Sequence, residues 1–198
     1  MKKILTTLAV FGIVPLLFQM KASEDSTHSS SLESTVVLGG GCFWCIEALY
    51  ETLEGVNAVR SGYAGGHVDN PSYNQVTSGK TGHAEVVEIR YNPREISLEE
   101  LLDFFWEAHD PTTPNRQGAD VGPQYRSIIL PADEDQRAVA EASMKAAASR
   151  FSSPIVTEIK ELKTFYEAEA YHQDYFDQNP NAPYCRFVIA PKLKKLES

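Results

Sequence analysis

The sequence has few basic residues, few cysteines and only one long apolar run. Eighteen Lys and Arg stand against 27 Asp and Glu, which gives a net charge of −9. Nucleic-acid binding depends on neutralising phosphates, so an acidic chain without a basic patch is a poor candidate for it. The apolar run lies at the N-terminus, which excludes a multispan membrane protein. With three cysteines and no second Cys-x-x-Cys pair, we expect no structural zinc or other metal site.

What the sequence does contain is the composition of a folded domain. Its 198 residues correspond to one domain of ordinary size. Apolar residues make up 42% and aromatic residues 10%, enough to build a core that a disordered chain lacks. No internal repeat is visible. We therefore expect a single globular domain.

The first 22 residues have the pattern of an export signal. After a basic start, the 15 residues of Ile4–Phe18 are apolar apart from two Thr, too few to span a bilayer comfortably. Met20-Lys21-Ala22 is a poor cleavage site, so an uncleaved anchor is the alternative to a cleaved signal peptide. Residues 23–34 are predicted to be a flexible linker and 35–198 the domain. We expect export to a periplasm or cell envelope, with the membrane contacted only by an uncleaved signal.

Strand-like and helix-like segments are interspersed without strict alternation. They predict an α+β fold, a single domain in which helices pack on a mixed β-sheet as a two-layer sandwich. Long loops at 64–82 and 110–124 interrupt the pattern, and such loops inside a compact domain are usually functional. Helices are predicted at 43–53, 98–109, 133–150 and 165–178, and strands at 35–38, 56–63, 83–91, 125–130, 155–159 and 184–189.

Cys42 is the strongest candidate for a reactive residue. It follows three glycines where a helix is expected to begin, and the free N–H groups of a helix start lower a thiol pKa. The glycines would also let the backbone approach a ligand closely. Cys45 lies three residues on, on the same helix face, a spacing that suits a reversible disulfide. The alternative is two buried, inert thiols, but a glycine-rich helix start is a poor place to bury one.

The two long loops add candidate acid and hydrogen-bonding groups. Glu85 begins an apolar strand after a glycine turn, where partial burial would raise its pKa and make it a proton donor near neutral pH. Tyr73 lies in the first loop, and Asp120 and Tyr125 lie in the second. Considered alone, Glu85 fits a solvated strand edge equally well, and the loop residues fit structural roles.

Two histidines are interpreted as structural. His109 lies on the apolar face of its helix, where a histidine is more often a buried, hydrogen-bonded core residue than a catalyst. His172 lies in Tyr171-His172-Gln173, and we favour a structural role there too. No phosphate-binding loop and no Ser-His-Asp set is recognisable in the sequence.

Seven short motifs occur in order along residues 35–192. They are Gly-Cys-Phe-Trp at 41–44, Gly-Tyr-Ala-Gly-Gly at 62–66, Asn-Pro-Ser-Tyr at 70–73, Gly-x-Thr-Gly-His-Ala-Glu at 79–85, His-Asp-Pro at 109–111, Asn-Arg-Gln-Gly-x-Asp at 115–120 and Gln-Tyr-Arg-Ser at 124–127. In this order they resemble the A-type methionine sulfoxide reductases, the peptide-methionine (S)-S-oxide reductases, which restore oxidised methionine.

The resemblance implies a role for each matching residue. Cys42 would be the nucleophile, and Glu85 would donate a proton to the sulfoxide oxygen. Tyr73 and Tyr125 would hydrogen-bond that oxygen, and Asp120 would order the polar side of the site. The apolar wall that receives the substrate's S-methyl group would consist of Phe43 and Trp44.

The second thiol is left undecided by the resemblance. Some relatives carry recycling cysteines in a glycine-rich C-terminal tail, which this chain lacks. Cys45 is close to Cys42 in sequence and needs only local rearrangement, so we favour it slightly as the first resolving residue. Cys185 would resolve directly, relay the disulfide outward, or be a buried thiol in the last strand.

The implied reaction is thiol-dependent reduction of the S epimer of methionine sulfoxide, free or in exported proteins. It would pass through a Cys42 sulfenic acid and an intramolecular disulfide, which an external dithiol such as thioredoxin reduces. No metal or organic cofactor is required. The expected partners are oxidised methionine-containing proteins and a thioredoxin-like reductant, and we expect a monomer.

Two other functions compete with this interpretation. A thioredoxin-like disulfide oxidoreductase would use Cys42-x-x-Cys45, but it leaves Tyr73, Glu85 and Asp120 unexplained. It would tolerate Glu85→Gln, whereas a sulfoxide reductase would not. A non-enzymatic binding module would hold an inert structural disulfide and show no thiolate at neutral pH.

Overall fold

A computed structural model describes residues 33–196. The predicted signal at 1–22 and the predicted linker up to residue 32 lie outside the described residues. Within 33–196, no helix has both the length and the apolar character needed to cross a bilayer.

The described residues form eight β-strands and six α-helices. The strands are β1 (Ser34–Gly40), β2 (Val56–Ala64), β3 (Ala84–Tyr91), β4 (Arg116–Gln117), β5 (Asp120–Val121), β6 (Ser127–Leu130), β7 (Glu158–Ile159) and β8 (Tyr166–Glu167). The helices are α1 (Phe43–Tyr50), α2 (Tyr73–Thr77), α3 (Leu98–Ala108), α4 (Glu134–Ala147), α5 (Tyr175–Gln178) and α6 (Ala190–Leu196).

Six of the strands make one sheet, in the order β7-β6-β1-β3-β2-β8. Its pairs are antiparallel except for β6 and β7, which run parallel. The sheet is therefore mixed, which confirms that part of the prediction. The short β4–β5 hairpin stands apart and lies in the predicted loop at 110–124.

The core lies between the sheet and one layer of helices. Residues that alternate along β1 point to opposite faces, so Val36 and Leu38 join the helix-side core while Val37 joins the other face. The helix-side core contains residues of α1, α3 and α4, and the opposite face is covered by Leu162 and Phe165. This arrangement confirms the predicted α+β sandwich.

Two predicted elements near the C-terminus are wrong. The helix expected at 165–178 is replaced by β8, which pairs with the edge of β2, then a single turn and the four-residue α5. The open edge of β2 offers backbone partners that override the helical pattern. The strand expected at 184–189 is instead a π-helical segment, Cys185–Ile189, that runs into α6.

Candidate active site

Cys42 is the N-cap residue of α1, at the end of the central strand β1, as predicted. The glycines before it allow close contacts within the protein. A Cβ at Gly39 would lie 2.7 Å from the carbonyl oxygen of Glu85. Gly41 has a φ of +108°, and a Cβ there would lie 2.7 Å from Gln117. These close contacts bring β3 and the β4–β5 hairpin against the start of α1.

The two thiols of the Cys42-x-x-Cys45 motif differ in acidity, and the prediction of a low pKa for Cys42 is wrong. Cys42 is 8% exposed, and burial raises its pKa well above the usual value. The Cys42 thiol also donates a hydrogen bond to Cys45, which lowers the pKa of Cys45, and the positive charge of Lys192 lowers it further. Burial opposes this at Cys45 without reversing it. Cys45 is therefore the more acidic thiol in the reduced protein.

Glu85 receives one of the helix-start N–H groups that we expected to act on Cys42, while the Trp44 N–H lowers the pKa of Cys42 without offsetting burial. Its Oε2 accepts a hydrogen bond from the backbone N–H of Phe43 at 3.1 Å. Its Oε1 is buried and has no hydrogen-bond partner among the described residues. Burial raises the pKa of Glu85 to about 8, which confirms the predicted raised pKa. The carboxyl therefore carries a proton at neutral pH.

Tyr73 and Tyr125 lie near this carboxyl. The pKa of each phenol is raised first by burial and then by the nearby Glu85 and Cys42, so both rings lie close to those groups. Tyr73 begins α2, where its backbone N–H donates to Glu169 Oε1 at 2.9 Å. The structure thus brings together four of the predicted site residues around one buried carboxyl.

Asp120 lies on the thiol side of the site. Its Oδ2 accepts a 2.7 Å hydrogen bond from the Tyr184 hydroxyl, which in turn accepts one from the Cys45 thiol at 3.6 Å. A cavity of about 90 Å³ adjoins these groups and both cysteines. Lys192, from α6, also lines this cavity.

Phe43 and Trp44 are packed against His172 and against Tyr175, the first residue of α5. Trp44 stacks on Tyr175 with ring centres 3.6 Å apart and planes 6° apart. Its indole N–H donates to Nδ1 of His172 at 3.1 Å. The Phe43 ring is 1% exposed and lies 5.0 Å from the His172 ring. Both aromatic side chains are therefore fixed before any substrate arrives.

His109 and His172 are both buried and hydrogen-bonded within the protein, in line with the structural roles expected for them. His109 is buried between the Phe105 carbonyl and the Ser127 hydroxyl, each at 2.7 Å, and burial lowers its pKa to about 4. His172 holds Trp44, a structural role. Its Nδ1 accepts, so the ring proton is on Nε2, which is buried without a partner in the part of the chain described.

Cys185 is fully buried, but in the π-helical segment and not in a strand. Burial raises its pKa, with a smaller contribution from the charge of Cys45, and all three cysteines belong to the helix-side core. The structure therefore places three thiols in one region. They are all reduced, and no disulfide joins them.

Sequence reasoning missed Tyr175, Tyr184 and Glu169 as residues of the site. Glu169 accepts from the Tyr63 hydroxyl at 2.8 Å as well as from the Tyr73 backbone. The one available signal is Tyr184 beside Cys185, since a buried tyrosine hydroxyl usually needs a polar partner. No group of three or more His, Cys, Asp or Glu within residues 33–196 is arranged to hold a metal ion.

A thiol pair at a helix start, beside a protonated carboxyl and two phenols, defines a cysteine-based oxidoreductase. The family model described as peptide methionine sulfoxide reductase matches residues 34–198. The chain belongs to this family and is an oxidoreductase that reduces methionine sulfoxide in peptides. It is 52% identical over 165 residues to the peptide methionine sulfoxide reductase MsrA of Trichodesmium erythraeum, covering 82% of this chain and 93% of the relative.

Solved structures also match most of the chain. The reduced form of Mxr1 from Saccharomyces cerevisiae matches with a TM-score of 0.74 and 38% identity, covering 77% of this chain and 89% of that one. Mxr1 in complex with Trx2 matches with a TM-score of 0.53 and 28% identity, covering 72% and 84%. The α+β architecture is therefore that of known methionine sulfoxide reductases.

Proposed function

We propose that this enzyme reduces the S epimer of methionine sulfoxide, free and in proteins, by transferring the oxygen to Cys42. The observation that carries the proposal is the state of Glu85. One carboxyl oxygen is fixed by the Phe43 N–H, and the other is buried without a partner within the described chain. A protonated carboxyl in that state donates its proton to a ligand oxygen without first breaking another hydrogen bond.

The first step transfers oxygen from substrate sulfur to enzyme sulfur. The Cys42 sulfur attacks the sulfoxide sulfur while Glu85 protonates the oxygen, and Tyr73 and Tyr125 hydrogen-bond that oxygen. The transient bond between the two sulfurs and the S–O bond of the substrate then break as an S–O bond forms on Cys42, so the oxygen ends there as a sulfenic acid. The sulfoxide is reduced to the thioether by two electrons, and the Cys42 sulfur is oxidised by two. The thiol proton of Cys42 balances the proton that Glu85 gives up.

Phe43 and Trp44 are proposed to receive the S-methyl group in this step. Their rings are held by His172 and Tyr175, so an apolar methyl group meets a wall whose side-chain entropy is already lost. Asp120 is proposed to order the polar side through its bond to Tyr184.

The second step forms a disulfide and releases water. Cys45 is proposed to attack the Cys42 sulfenic acid first, because it already contacts the Cys42 thiol and is the more acidic of the two. Cys185 lies in the same core cluster as Cys45 and is proposed to take over the disulfide, although direct attack on Cys42 is the competing route. Each exchange breaks one S–S bond and forms another.

An external dithiol is proposed to reduce the disulfide by thiol exchange, with no metal or organic cofactor. The complex of the yeast relative Mxr1 with Trx2 supports a thioredoxin-like partner for this chain. The partner's two thiols become its disulfide, and the enzyme's cysteines regain their protons.

We propose that the enzyme is exported and acts as a monomer on oxidised proteins in a periplasm or cell envelope. The support is the basic start and the apolar run at Ile4–Phe18. Cell fractionation with N-terminal sequencing of the mature protein tests this. Recovery of intact chain in the cytosolic fraction would contradict it.

The reaction is tested by dithiothreitol-driven reduction of the two epimers of N-acetyl-methionine sulfoxide, with Cys42→Ser beside the wild type. We expect turnover of the S epimer alone, and none with the variant. If the folded wild type turns over neither epimer, the oxygen-transfer proposal fails and a disulfide exchanger is favoured. Turnover by Cys42→Ser would refute the assignment of the nucleophile.

A further inference from the structure

Glu47 is a buried acid that the proposed reaction does not use. It lies in α1, one turn after Phe43, and is 1% exposed. Its Oε2 accepts a hydrogen bond from the backbone N–H of Tyr175 at 3.4 Å. Its Oε1 makes no hydrogen bond of good geometry among residues 33–196, and the buried Ser61 hydroxyl on β2 lies near the carboxyl without completing one. Burying a carboxyl in this way is costly, so a compensating role is expected.

Glu47 provides the hydrogen-bond acceptor that the N-terminus of α5 lacks from its own N-cap residue. The N-cap residue of α5 is Asp174, which has a φ of +50° and makes no side-chain capping bond. The first N–H group of the helix, that of Tyr175, is bonded instead to Glu47 from a different helix. Tyr175 is also the residue whose ring stacks on Trp44 at 3.6 Å. One acceptor therefore fixes the backbone that presents the stacking ring.

We propose that Glu47 is a positioning residue for substrate binding, which holds Tyr175 by its backbone N–H and thereby holds the indole of Trp44 in the methyl-binding wall. This inference rests on the proposed function only in assigning Trp44 to that wall. The path has three contacts: Glu47 to Tyr175, Tyr175 to Trp44, and Trp44 to the substrate. The first two are present in the structure.

The surroundings of Glu47 make the strength of its hydrogen bond to the Tyr175 N–H depend on pH. Burial raises the pKa of Glu47 to about 7, while the nearby Ser61 hydroxyl and the backbone N–H groups of Tyr175 and Asp174 act to lower it without offsetting burial. At Glu51, the C-cap residue of α1, burial and the nearby charges of Glu47, Asp174 and Asp177 raise the pKa to about 7. An ionised carboxylate accepts a hydrogen bond more strongly than a neutral carboxyl. The environment of Trp44 should therefore change as Glu47 titrates near neutral pH.

The test uses Trp44 fluorescence and the kinetic constants together. The chain has two tryptophans, so a Trp106→Phe background leaves Trp44 as the reporter. Glu47→Met keeps the bulk but removes the acceptor, and Glu47→Gln keeps an acceptor without charge. We expect Glu47→Met to shift the Trp44 emission and raise KM for the sulfoxide roughly tenfold, as for one lost hydrogen bond. The single-turnover rate at saturating substrate should change little, and Glu47→Gln should restore both readouts.

The pH profile provides the second measurement. In the Trp106→Phe background we expect a step in Trp44 emission near pH 7, which Glu47→Gln abolishes and the control Glu51→Gln retains. Unchanged emission and KM in a folded Glu47→Met variant would overturn the inference. If Glu47→Met does not fold, persistence of the step in Glu47→Gln would overturn it instead. Emission does not depend on turnover. Failure of the proposed function would therefore be seen separately, as a wild-type enzyme with the expected Trp44 emission that reduces no sulfoxide.

Discussion

At the residue scale, burial determines where the protons of this site are. Glu85 and Cys42 both have raised pKa values, so the reduced enzyme holds a neutral acid beside a neutral thiol at pH 7. The N–H group of Phe43 binds Glu85 and therefore does not stabilise a Cys42 thiolate. Attack on the sulfoxide thus requires Cys42 to lose its proton in the same step in which Glu85 donates one.

Cys45 should be the first thiol of the reduced protein to ionise as pH rises. It accepts the hydrogen bond from Cys42 and lies near Lys192, and both lower its pKa. Thiolate absorbance near 240 nm should show this first ionisation in wild type and in Cys42→Ser, because serine keeps the donor. Cys45→Ser should lack it. If the first ionisation is lost in Cys42→Ser and kept in Cys45→Ser, then Cys42 is the more acidic thiol and this prediction is wrong.

Glu85→Gln should lower kcat/KM for the S epimer by about 10²–10⁴-fold, the usual range for a lost general acid. The amide still accepts from the Phe43 N–H, so the site should keep its shape. Disulfide exchange with a small dithiol, measured on the oxidised enzyme, should be nearly unchanged. Sulfoxide reduction at the wild-type rate would remove Glu85 from the reaction.

At the scale of elements, the sequence pattern predicted the central part of the fold well. The strand predicted at 35–38 appears as Ser34–Gly40, and the helices predicted from residues 43 and 98 begin at Phe43 and Leu98, the latter after the N-cap Ser97. Each depends on neighbours in sequence: a glycine turn, an N-cap, an alternating run. The convergence of Tyr73, Glu85 and Asp120 followed from resemblance, since residues so far apart in sequence give no local signal of contact.

The segment from Phe165 to Ile189 could not be predicted because its structure comes from distant partners. Glu167 pairs with Gly62 on the edge of β2, and Gln173 bonds the backbone of Ser61. Its apolar residues repeat at helical spacing, yet the backbone at 166–167 hydrogen-bonds to the edge of β2 instead of forming a helix. The low thiol pKa expected for Cys42 failed for a similar reason, since burial outweighs the helix start.

Gln173→Ala should loosen this segment selectively. The Gln173 side chain accepts from Ser61 N–H at 2.9 Å and donates to Ser61 and Ala168 carbonyls at 3.0 and 2.9 Å. We expect a loss of stability of about 1–3 kcal/mol, as for buried hydrogen bonds left unsatisfied. Hydrogen exchange should quicken at Ser61 and around β8 but not in β1. Equal quickening throughout the sheet would contradict a local role.

At the scale of the whole molecule, the buried carboxyl of Glu85 makes folding stability depend on pH. Below its usual pKa of 4.5 the group is protonated in both folded and unfolded chains. As pH rises from there to about 8, the unfolded chain loses the proton while the folded chain keeps it, so stability falls. His109 acts at the acid end, where protonation below its usual pKa favours the unfolded chain.

Glu85→Gln should therefore stabilise the enzyme at alkaline pH while it impairs catalysis. Relative to wild type, its free energy of unfolding should be greater at pH 9 than at pH 5 by on the order of a few kcal/mol, from about 1.4 kcal/mol for each unit of pKa shift. Urea unfolding at the two pH values measures this. An equal difference at both would show that Glu85 is not buried as a neutral acid.

The most direct measurement is a single turnover of the reduced enzyme with the S epimer of N-acetyl-methionine sulfoxide, without any reductant. With one equivalent of the sulfoxide, we expect one methionine and one new disulfide per wild-type chain, with two thiols lost. A Cys45→Ser, Cys185→Ser double variant should form the same methionine but lose only Cys42, as a sulfenic acid that dimedone traps. No methionine from the folded, reduced wild type, or trapping at a cysteine other than Cys42, would contradict oxygen transfer to Cys42.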